Sequence, residues 1–439
     1  MALFAVSGIF VVVVTVVISV CTFPFIAIPL AALAVVRFTV GFTPTILKRF
    51  FAAWCDRVQE EWLALVVLLL ECVLRLRLAY TIVSTSPTSP SQLADIFAPP
   101  KPGKCKLVIL NHRSRIDWLV MFPFLARAGG LRTLRIVLKD DLKRIPIFGW
   151  CMQTFRYIFL SRDWAKDEAT MRSLIAYYRE SDGATIMFFP EGTDLSESNI
   201  EKSNTYAAKH GLPCFHHVLN PRTTGFVAMA NMIGAANLEI IDVTLGYTDF
   251  VPGERPAEVS IINGRMPKKV HILCTRYRMA HQAESVEEKK RAFDAVPTDD
   301  AGLRLWLNDL FAKKEVLLSQ FYANNPVGFE AHQVRSVFGE NCSVVTYDED
   351  EEAARNPGGT KFLRFVRDMG LWRGFGVILP WLLPVMYWVF CGGLHSLLVY
   401  GLLANLCGWV TRNRGGLSEW LFMEQPRTEA TGERRGPSE

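Results

Sequence analysis

Lys106-Leu107-Val108-Ile109-Leu110-Asn111-His112-Arg113-Ser114-Arg115-Ile116-Asp117 is the stretch on which the reading of this chain turns. Behind Lys106, an apolar run has the length of a short buried strand, and it stops at a polar block that holds an imidazole and a carboxylate. On one continuous helix, turning about 100° per residue, His112 and Asp117 would point roughly 140° apart. With His112 on the turn after the strand and Asp117 in the first turns of the next helix, the two side chains can meet. Asp117 then accepts from one ring nitrogen and leaves the other to take a proton from a hydroxyl. An unperturbed imidazole titrates near ~6.5, so the ring is expected mostly neutral at cytosolic pH, as a base must be. Taken alone, the pair is explained equally well by a cap at His112 and an ordinary first-turn acid at Asp117.

A second block, Phe189-Pro190-Glu191-Gly192-Thr193, also ends an apolar run. Pro190 stops the strand, and Gly192 lets backbone N–H groups approach a ligand closely. Glu191 is placed to bond a substrate hydroxyl, although a plain strand-to-loop turn needs the same residues. Arg162 follows a third short run, 157–160, and its guanidinium suits a phosphate. Lys139, Lys143, Arg144 and Arg222 are weaker phosphate candidates, and Thr224 reads as the cap of a helix after the turn 220–225. Further strands are expected at 134–138, 184–189, 238–246, 259–262 and 270–274. Met171, Leu174, Ile175 and Tyr178 recur at helical spacing, as do Leu303, Trp306, Leu307, Leu310, Leu317 and Phe321. Strands alternating with helices predict an α/β domain, with both blocks at one edge of one sheet.

The ends of the chain are of another character. Met1–Val36 and Gly374–Thr411 contain no Asp, Glu, Lys or Arg, and each exceeds the ~20 residues one membrane span needs. Pro24 and Pro29 divide the first stretch, which favours a hairpin, or one helix with a kinked piece. Arg37, Lys48 and Arg49 follow it and place that end on the cytosolic side. The charges within Phe50–Leu78 predict a helix at the interface or against the soluble domain. The second stretch reads as a hairpin with basic flanks at Arg367, Arg373, Arg412 and Arg414. With 48 basic against 43 acidic side chains, the chain lacks the concentrated charge of a nucleic-acid binder. Ten cysteines without a CxxC pair predict reduced thiols and a cytosolic soluble part. Eight scattered histidines do not suggest a metal cluster.

Taken together, the blocks resemble those of the membrane-bound glycerophospholipid acyltransferases, the family of the 1-acylglycerol-3-phosphate acyltransferases. Asn111-His112 with Asp117 matches NHxxxxD, and Tyr157-Ile158-Phe159-Leu160-Ser161-Arg162 resembles the second block. Phe189–Thr193 matches FPEGT, and Val218-Leu219-Asn220-Pro221-Arg222 resembles the fourth. The resemblance spans roughly 104–277. Many relatives carry Arg after the third block, where this chain has Asp194. That departure, with Asp117-Trp118 and Pro221-Arg222-Thr223-Thr224-Gly225-Phe226, is similar to the lysocardiolipin acyltransferase-like branch, which includes plant proteins named lysophosphatidate acyltransferases.

The resemblance implies a mixed sheet with flanking helices plus membrane helices at both ends. It implies that His112, aided by Asp117, activates a glycerol hydroxyl that attacks the thioester of acyl-CoA, a co-substrate, with no metal or other cofactor. Asn111, Arg162, Glu191, Gly192, Thr193 and Arg222 are then the substrate-binding set. The expected acceptor is lysophosphatidate. Lysophosphatidylinositol, lysophosphatidylglycerol and lysocardiolipin are alternatives, as is a catalytically silent lipid-binding protein. The expected partners are these lipids and the bilayer, in the endoplasmic reticulum, with the catalytic domain facing the cytosol. The expected organisation is membrane and interfacial helices at 1–82, a Ser/Pro-rich linker at 83–104 and an acyltransferase domain at 105–325. A connecting segment with an acidic loop at 326–369, a membrane hairpin at 370–412 and a polar tail at 413–439 complete it.

Overall fold

The computed structural model describes residues 2–85, 92–161, 163–248, 260–261, 267–279, 296–323, 328–355, 386 and 394–422. The strands are β1 (Arg77–Ser84), β2 (Cys105–Leu110), β3 (Leu134–Lys139), β4 (Ile158–Leu160), β5 (Ala184–Phe188), β6 (Leu238–Tyr247), β7 (Lys269–Arg278) and β8 (Ser343–Asp348). They form one sheet in the order β4-β3-β5-β2-β6-β7-β1-β8. Five neighbours, β4 to β6 in that order, are parallel, whereas β7 runs against β6 and β8 against β1. The sheet is therefore mixed, as expected. Because its parallel strands share a direction, the carboxyl ends of β2, β4, β5 and β6 gather at one edge. In open α/β sheets that edge is where ligands bind.

Both faces of the sheet are covered, so the strands alternate between two apolar cores rather than between core and water. Along β2, Cys105, Leu107 and Ile109 enter one core, and Val108 and Leu110 the other. The first core is closed by the helices Trp164–Glu180, Thr223–Ile233 and Asp300–Ala323. Met171, Leu174, Ile175 and Tyr178 line it, as their spacing predicts. The second core is closed by the N-terminal helices.

Those helices differ from the expected hairpin. Ala2–Val40 is one helix that runs through Pro24 and Pro29. A proline leaves the carbonyl four residues earlier without its donor, and for Pro29 that carbonyl is Phe25. Trp54 Nε1 donates to the Phe25 carbonyl oxygen at 2.9 Å. A neighbouring helix thus replaces the missing bond and keeps the chain helical. Ser7–Val40 is long and apolar enough to cross a membrane, and much of its surface faces outward.

The second helix, Thr45–Leu68, lies against the α/β domain, one of the two placements expected for 50–78. Gln59 Nε2 donates to the carbonyls of Leu131 and Leu134 at 2.7 and 3.1 Å. Asp56 accepts from Arg135 at 2.9 Å and also binds Arg156. Leu394–Asn413 packs beside the N-terminal helix through Phe23 and Tyr400, whose ring centroids lie 5.3 Å apart. The rest of the hairpin expected at 374–411 lies outside the described residues, apart from Met386. So do residues 259 and 262 of the strand expected at 259–262, whose described pair Ser260-Ile261 is helical rather than extended, and residues 86–91 of the linker.

The expected boundaries do not coincide with the edge of the sheet. β1 sits partly in the segment assigned to membrane helices and pairs with β7 in parallel, and β8 lies beyond 325 and pairs with β1. An apolar run as short as 78–83 following a leucine-rich helix has no periodicity of its own to reveal a strand. Nor is the acidic run 348–352 a loop. Asp348 ends β8, and a helix follows at Glu349–Arg355. Lys269 is held by Asp348 and, at 3.1 Å, by Asp350, while Arg77 reaches Asp350 at 2.5 Å. Glu349 Oε2 accepts from the N–H of Leu78 at 3.0 Å. The run thus caps the basic ends of β1 and β7.

Candidate active site

Asn111 follows β2 directly. Its side-chain oxygen accepts from the N–H of Leu245 at 2.7 Å, and its amide nitrogen donates to the Leu245 carbonyl at 3.2 Å. Both polar ends thus pin β2 to β6. This two-bond clamp ends the strand and turns the chain so that His112 stands on the loop.

A helix then starts at Asp117. His112 Nδ1 and Asp117 Oδ2 lie 3.1 Å apart. The carboxylate is fully buried, whereas the imidazole is one-fifth exposed (0% against 20%). Asp117 Oδ2 also accepts from the N–H of Ser114 at 2.8 Å, and Oδ1 accepts from the Tyr247 hydroxyl at 2.5 Å. With three donors aimed at it, Asp117 is an acceptor, so Nδ1 carries the proton and Nε2 the lone pair. Among the described residues nothing bonds Nε2.

Burial pulls the His112 pKa down. The hydrogen bond to Asp117 and the charges of Asp117, Glu191 and Asp194 outweigh it, and the net shift is upward from the ordinary value. The free ring is therefore more basic than the unperturbed imidazole assumed from sequence. Tyr247, raised well above the usual tyrosine range by burial and by Asp117, stays protonated and remains a donor. Phe189 flanks the imidazole with ring centroids 4.5 Å apart.

Glu191 is engaged by the backbone of two loops. Its Oε1 accepts from the N–H of His112 at 2.7 Å and its Oε2 from the N–H of Leu219 at 2.9 Å. Both oxygens serve the backbone of this chain, so the carboxylate ties the first, third and fourth blocks together. Burial pushes it up to about 7, against the pull of the two N–H donors. The third block is further tied by Leu195 N–H to the His112 carbonyl and by Arg222 N–H to the Pro190 carbonyl, both at 2.8 Å.

Gly192 has φ +72°, a conformation costly for a side chain. A Cβ there would also lie 3.2 Å from Arg222 Nε, so the exposed Arg222 side chain passes close over this turn. Thr193 Oγ1 accepts from Asn199 at 3.1 Å. Asp194 lies 3.9 Å from Arg115. Thr224 does not cap its helix, which begins one residue earlier after Arg222 without a side-chain cap. Of the weaker phosphate candidates, Lys143 binds Glu419 at 2.6 Å, while Lys139 and Arg144 face Asp141 and Asp140 at the surface. Arg162 lies outside the described residues.

His112, Asp117, Glu191, Gly192, Thr193 and Arg222 thus converge on the carboxyl edge of the parallel strands. Sequence reading missed Tyr247, the last residue of β6. An apolar strand ending in Tyr carries no local sign that its hydroxyl reaches a carboxylate 130 residues away.

Residues 98–248 match the acyltransferase family model. The chain carries an acyltransferase domain. This domain holds β2 to β6 and every residue of the site described above. Lysocardiolipin acyltransferase 1 from Danio rerio is 33% identical over 65% of this chain and 66% of its own length. The Mus musculus protein of the same name is 34% identical over 61% of this chain and 63% of its own. The 1-acyl-sn-glycerol-3-phosphate acyltransferase 2 of Arabidopsis thaliana is 30% identical over 62% and 65%. The chain spans just under two thirds of the length of these curated relatives. A crystal structure of the 1-acyl-sn-glycerophosphate acyltransferase PlsC from Thermotoga maritima is 16% identical over 65% of this chain and 91% of that one, with a TM-score of 0.32.

Proposed function

We propose that this chain is an acyl-CoA-dependent 1-acyl-sn-glycerol-3-phosphate acyltransferase that forms phosphatidic acid. The observation that carries the reading is the His112–Asp117 pair, its carboxylate buried and held by two further donors, its imidazole open on one side. Nε2 takes the proton of the free glycerol hydroxyl as that oxygen attacks the thioester carbonyl. The tetrahedral intermediate collapses by breaking the carbon–sulfur bond, and the imidazolium returns the proton to the leaving thiolate. Coenzyme A departs as the thiol, and no acyl group rests on the protein. Asp117 holds the ring in the required tautomer and stabilises the imidazolium. Gly192, Thr193 and Arg222 belong to the loops proposed to receive the acceptor, and Arg162 is proposed to bind it as well.

The relatives named for lysocardiolipin favour a second reading, in which the acceptor is another lysophospholipid. A catalytically silent lipid-binding role sits poorly with an intact pair whose orienting carboxylate has both oxygens engaged. The apolar N-terminal helix supports a place in a membrane, for which we propose the endoplasmic reticulum with the catalytic domain on the cytosolic side.

Purified wild-type protein and His112→Ala, assayed with one acyl-CoA against a panel of lysolipids, test both readings. Removing a positioned base is expected to slow transfer by roughly 10²–10⁴. Full transfer by a folded His112→Ala protein overturns the base assignment. Lysophosphatidate as the poorest acceptor in the panel overturns the first choice of substrate in favour of the second.

A further inference from the structure

Beside the base, Arg113 is buried at 5% exposure. Its Nε has no hydrogen-bond acceptor, and no carboxylate pairs with its guanidinium among the described residues. The other buried arginines are treated differently, since Arg135 and Arg156 share the carboxylate of Asp56. Lys314, buried deeper still, lies 2.6 Å from Asp242. What Arg113 has is an aromatic face, with its guanidinium carbon 4.0 Å from the centroid of Tyr322. Tyr322 is fixed in turn, because its hydroxyl accepts from the N–H of Tyr247 at 3.0 Å and its ring stacks on His217 at 5.7 Å.

A buried charge without a counter-ion is unfavourable, and an aromatic face compensates only part of the lost hydration. The same stacking fixes the plane of the guanidinium and leaves its donor edge free. A planar fork held in this way matches two oxygens of a phosphate at once. The Tyr322 hydroxyl is bonded to the backbone of Tyr247, whose side chain holds the orienting carboxylate, so the stacked cation lies beside the same assembly as the base.

We infer that the buried Arg113 guanidinium, stacked on Tyr322, is a phosphate-binding group of the active site, completed by a phosphate ester of a bound substrate. The inference rests on the acyl-transfer reading for the identity of that substrate. Two sources carry the chemistry: the phosphate of the acceptor lipid, one glycerol carbon from the attacking hydroxyl, and the phosphates of the acyl donor. We assign it to the acceptor, because Arg113 adjoins the base that must meet the acceptor's hydroxyl.

The test is steady-state kinetics of the full-length protein in detergent micelles, with lysophosphatidate and acyl-CoA varied separately. Loss of a charged hydrogen-bonding group corresponds to roughly a 10- to 100-fold effect on affinity. Arg113→Gln is therefore expected to raise the KM for lysophosphatidate by that factor with the KM for acyl-CoA little changed, and Arg113→Lys to recover part of it. A rise confined to acyl-CoA moves the site to the donor's phosphates and overturns the assignment to the acceptor. Unchanged KM values, or a fall in kcat alone that Lys does not rescue, overturn the inference and leave Arg113 a packing residue.

A second measurement needs no turnover. Inorganic phosphate should raise the melting temperature of the wild type but not of Arg113→Gln, and an equal rise in both counts against the site. This reading separates the two proposals, since it holds even if His112→Ala shows that the acyl-transfer mechanism is wrong.

Discussion

The Tyr247 hydroxyl donates to Asp117 Oδ1 at 2.5 Å, from the end of β6 to the start of the helix after β2. The carboxylate that orients the base is itself oriented from across the sheet. Removing this donor with Tyr247→Phe leaves the fold and the ring in place but frees one oxygen of a buried carboxylate. A hydrogen bond to a charged group contributes about 1.5–3 kcal/mol, so kcat is expected to fall by roughly ten- to a hundredfold. The KM for either substrate should change little. A Tyr247→Phe protein with wild-type kcat would separate Asp117 positioning from Tyr247.

The upward shift of His112 sets a pH dependence. Catalysis needs the neutral ring, so kcat/KM should rise with pH and level off only above the shifted value, that is, above the ordinary ~6.5. For stability the sign is opposite. A folded-state pKa above the unfolded one contributes stability that is fully present below ~6.5 and is lost as pH rises through the folded value. Asp117→Asn removes the largest upward influence and leaves burial opposed only by the charges of Glu191 and Asp194, so the acid limb of the profile should move to lower pH. The rate should fall in the same variant because the neutral amide no longer stabilises the imidazolium. An acid limb that stays in place would mean that another group titrates.

Glu191 is expected to matter first for stability. Glu191→Ala strands the buried N–H groups of His112 and Leu219, each at a cost of about 1–3 kcal/mol. Glu191→Gln keeps one acceptor oxygen and should fall between the two. Differential scanning fluorimetry in detergent reads the order wild type, Gln, Ala. A substrate-binding role alone would instead raise KM in variants that melt like the wild type.

Trp54 and Pro29 should behave as a coupled pair. Trp54→Phe leaves the Phe25 carbonyl without a donor inside an apolar helix, a loss of about 1 kcal/mol. Pro29→Ala restores the backbone N–H that would bond the same carbonyl, so the double variant should lose less than Trp54→Phe alone. Additive effects in the cycle would show that the indole does not replace the proline's missing bond.

Much of the architecture was legible because its signals are local. Apolar runs of strand length, the helical spacing of Met171 to Tyr178 and the two uncharged ends need only neighbouring residues to be read. The four ordered blocks pointed to the acyltransferase domain for the same reason, since a His, an Asp and a Gly-bearing turn are recognisable by residue type. The roles within the blocks were not legible. Asn111 and Glu191 have the right groups to touch a substrate, and nothing nearby in sequence shows that backbone N–H groups already occupy them.

By itself, the sequence determined that this chain has an α/β domain with a His–Asp pair and membrane-length apolar ends. Only the tertiary structure decided that Glu191 and Asn111 are struts, that Tyr247 holds Asp117 and that β1 and β8 belong to the sheet. The physical reason is separation along the chain: the deciding hydrogen bonds join residues 79, 130 and 134 positions apart. Residue type and spacing describe what a side chain can bond, whereas the fold chooses its partner. His112, in the block 106–117, faces a fixed carboxylate because a strand end more than a hundred residues later holds Asp117.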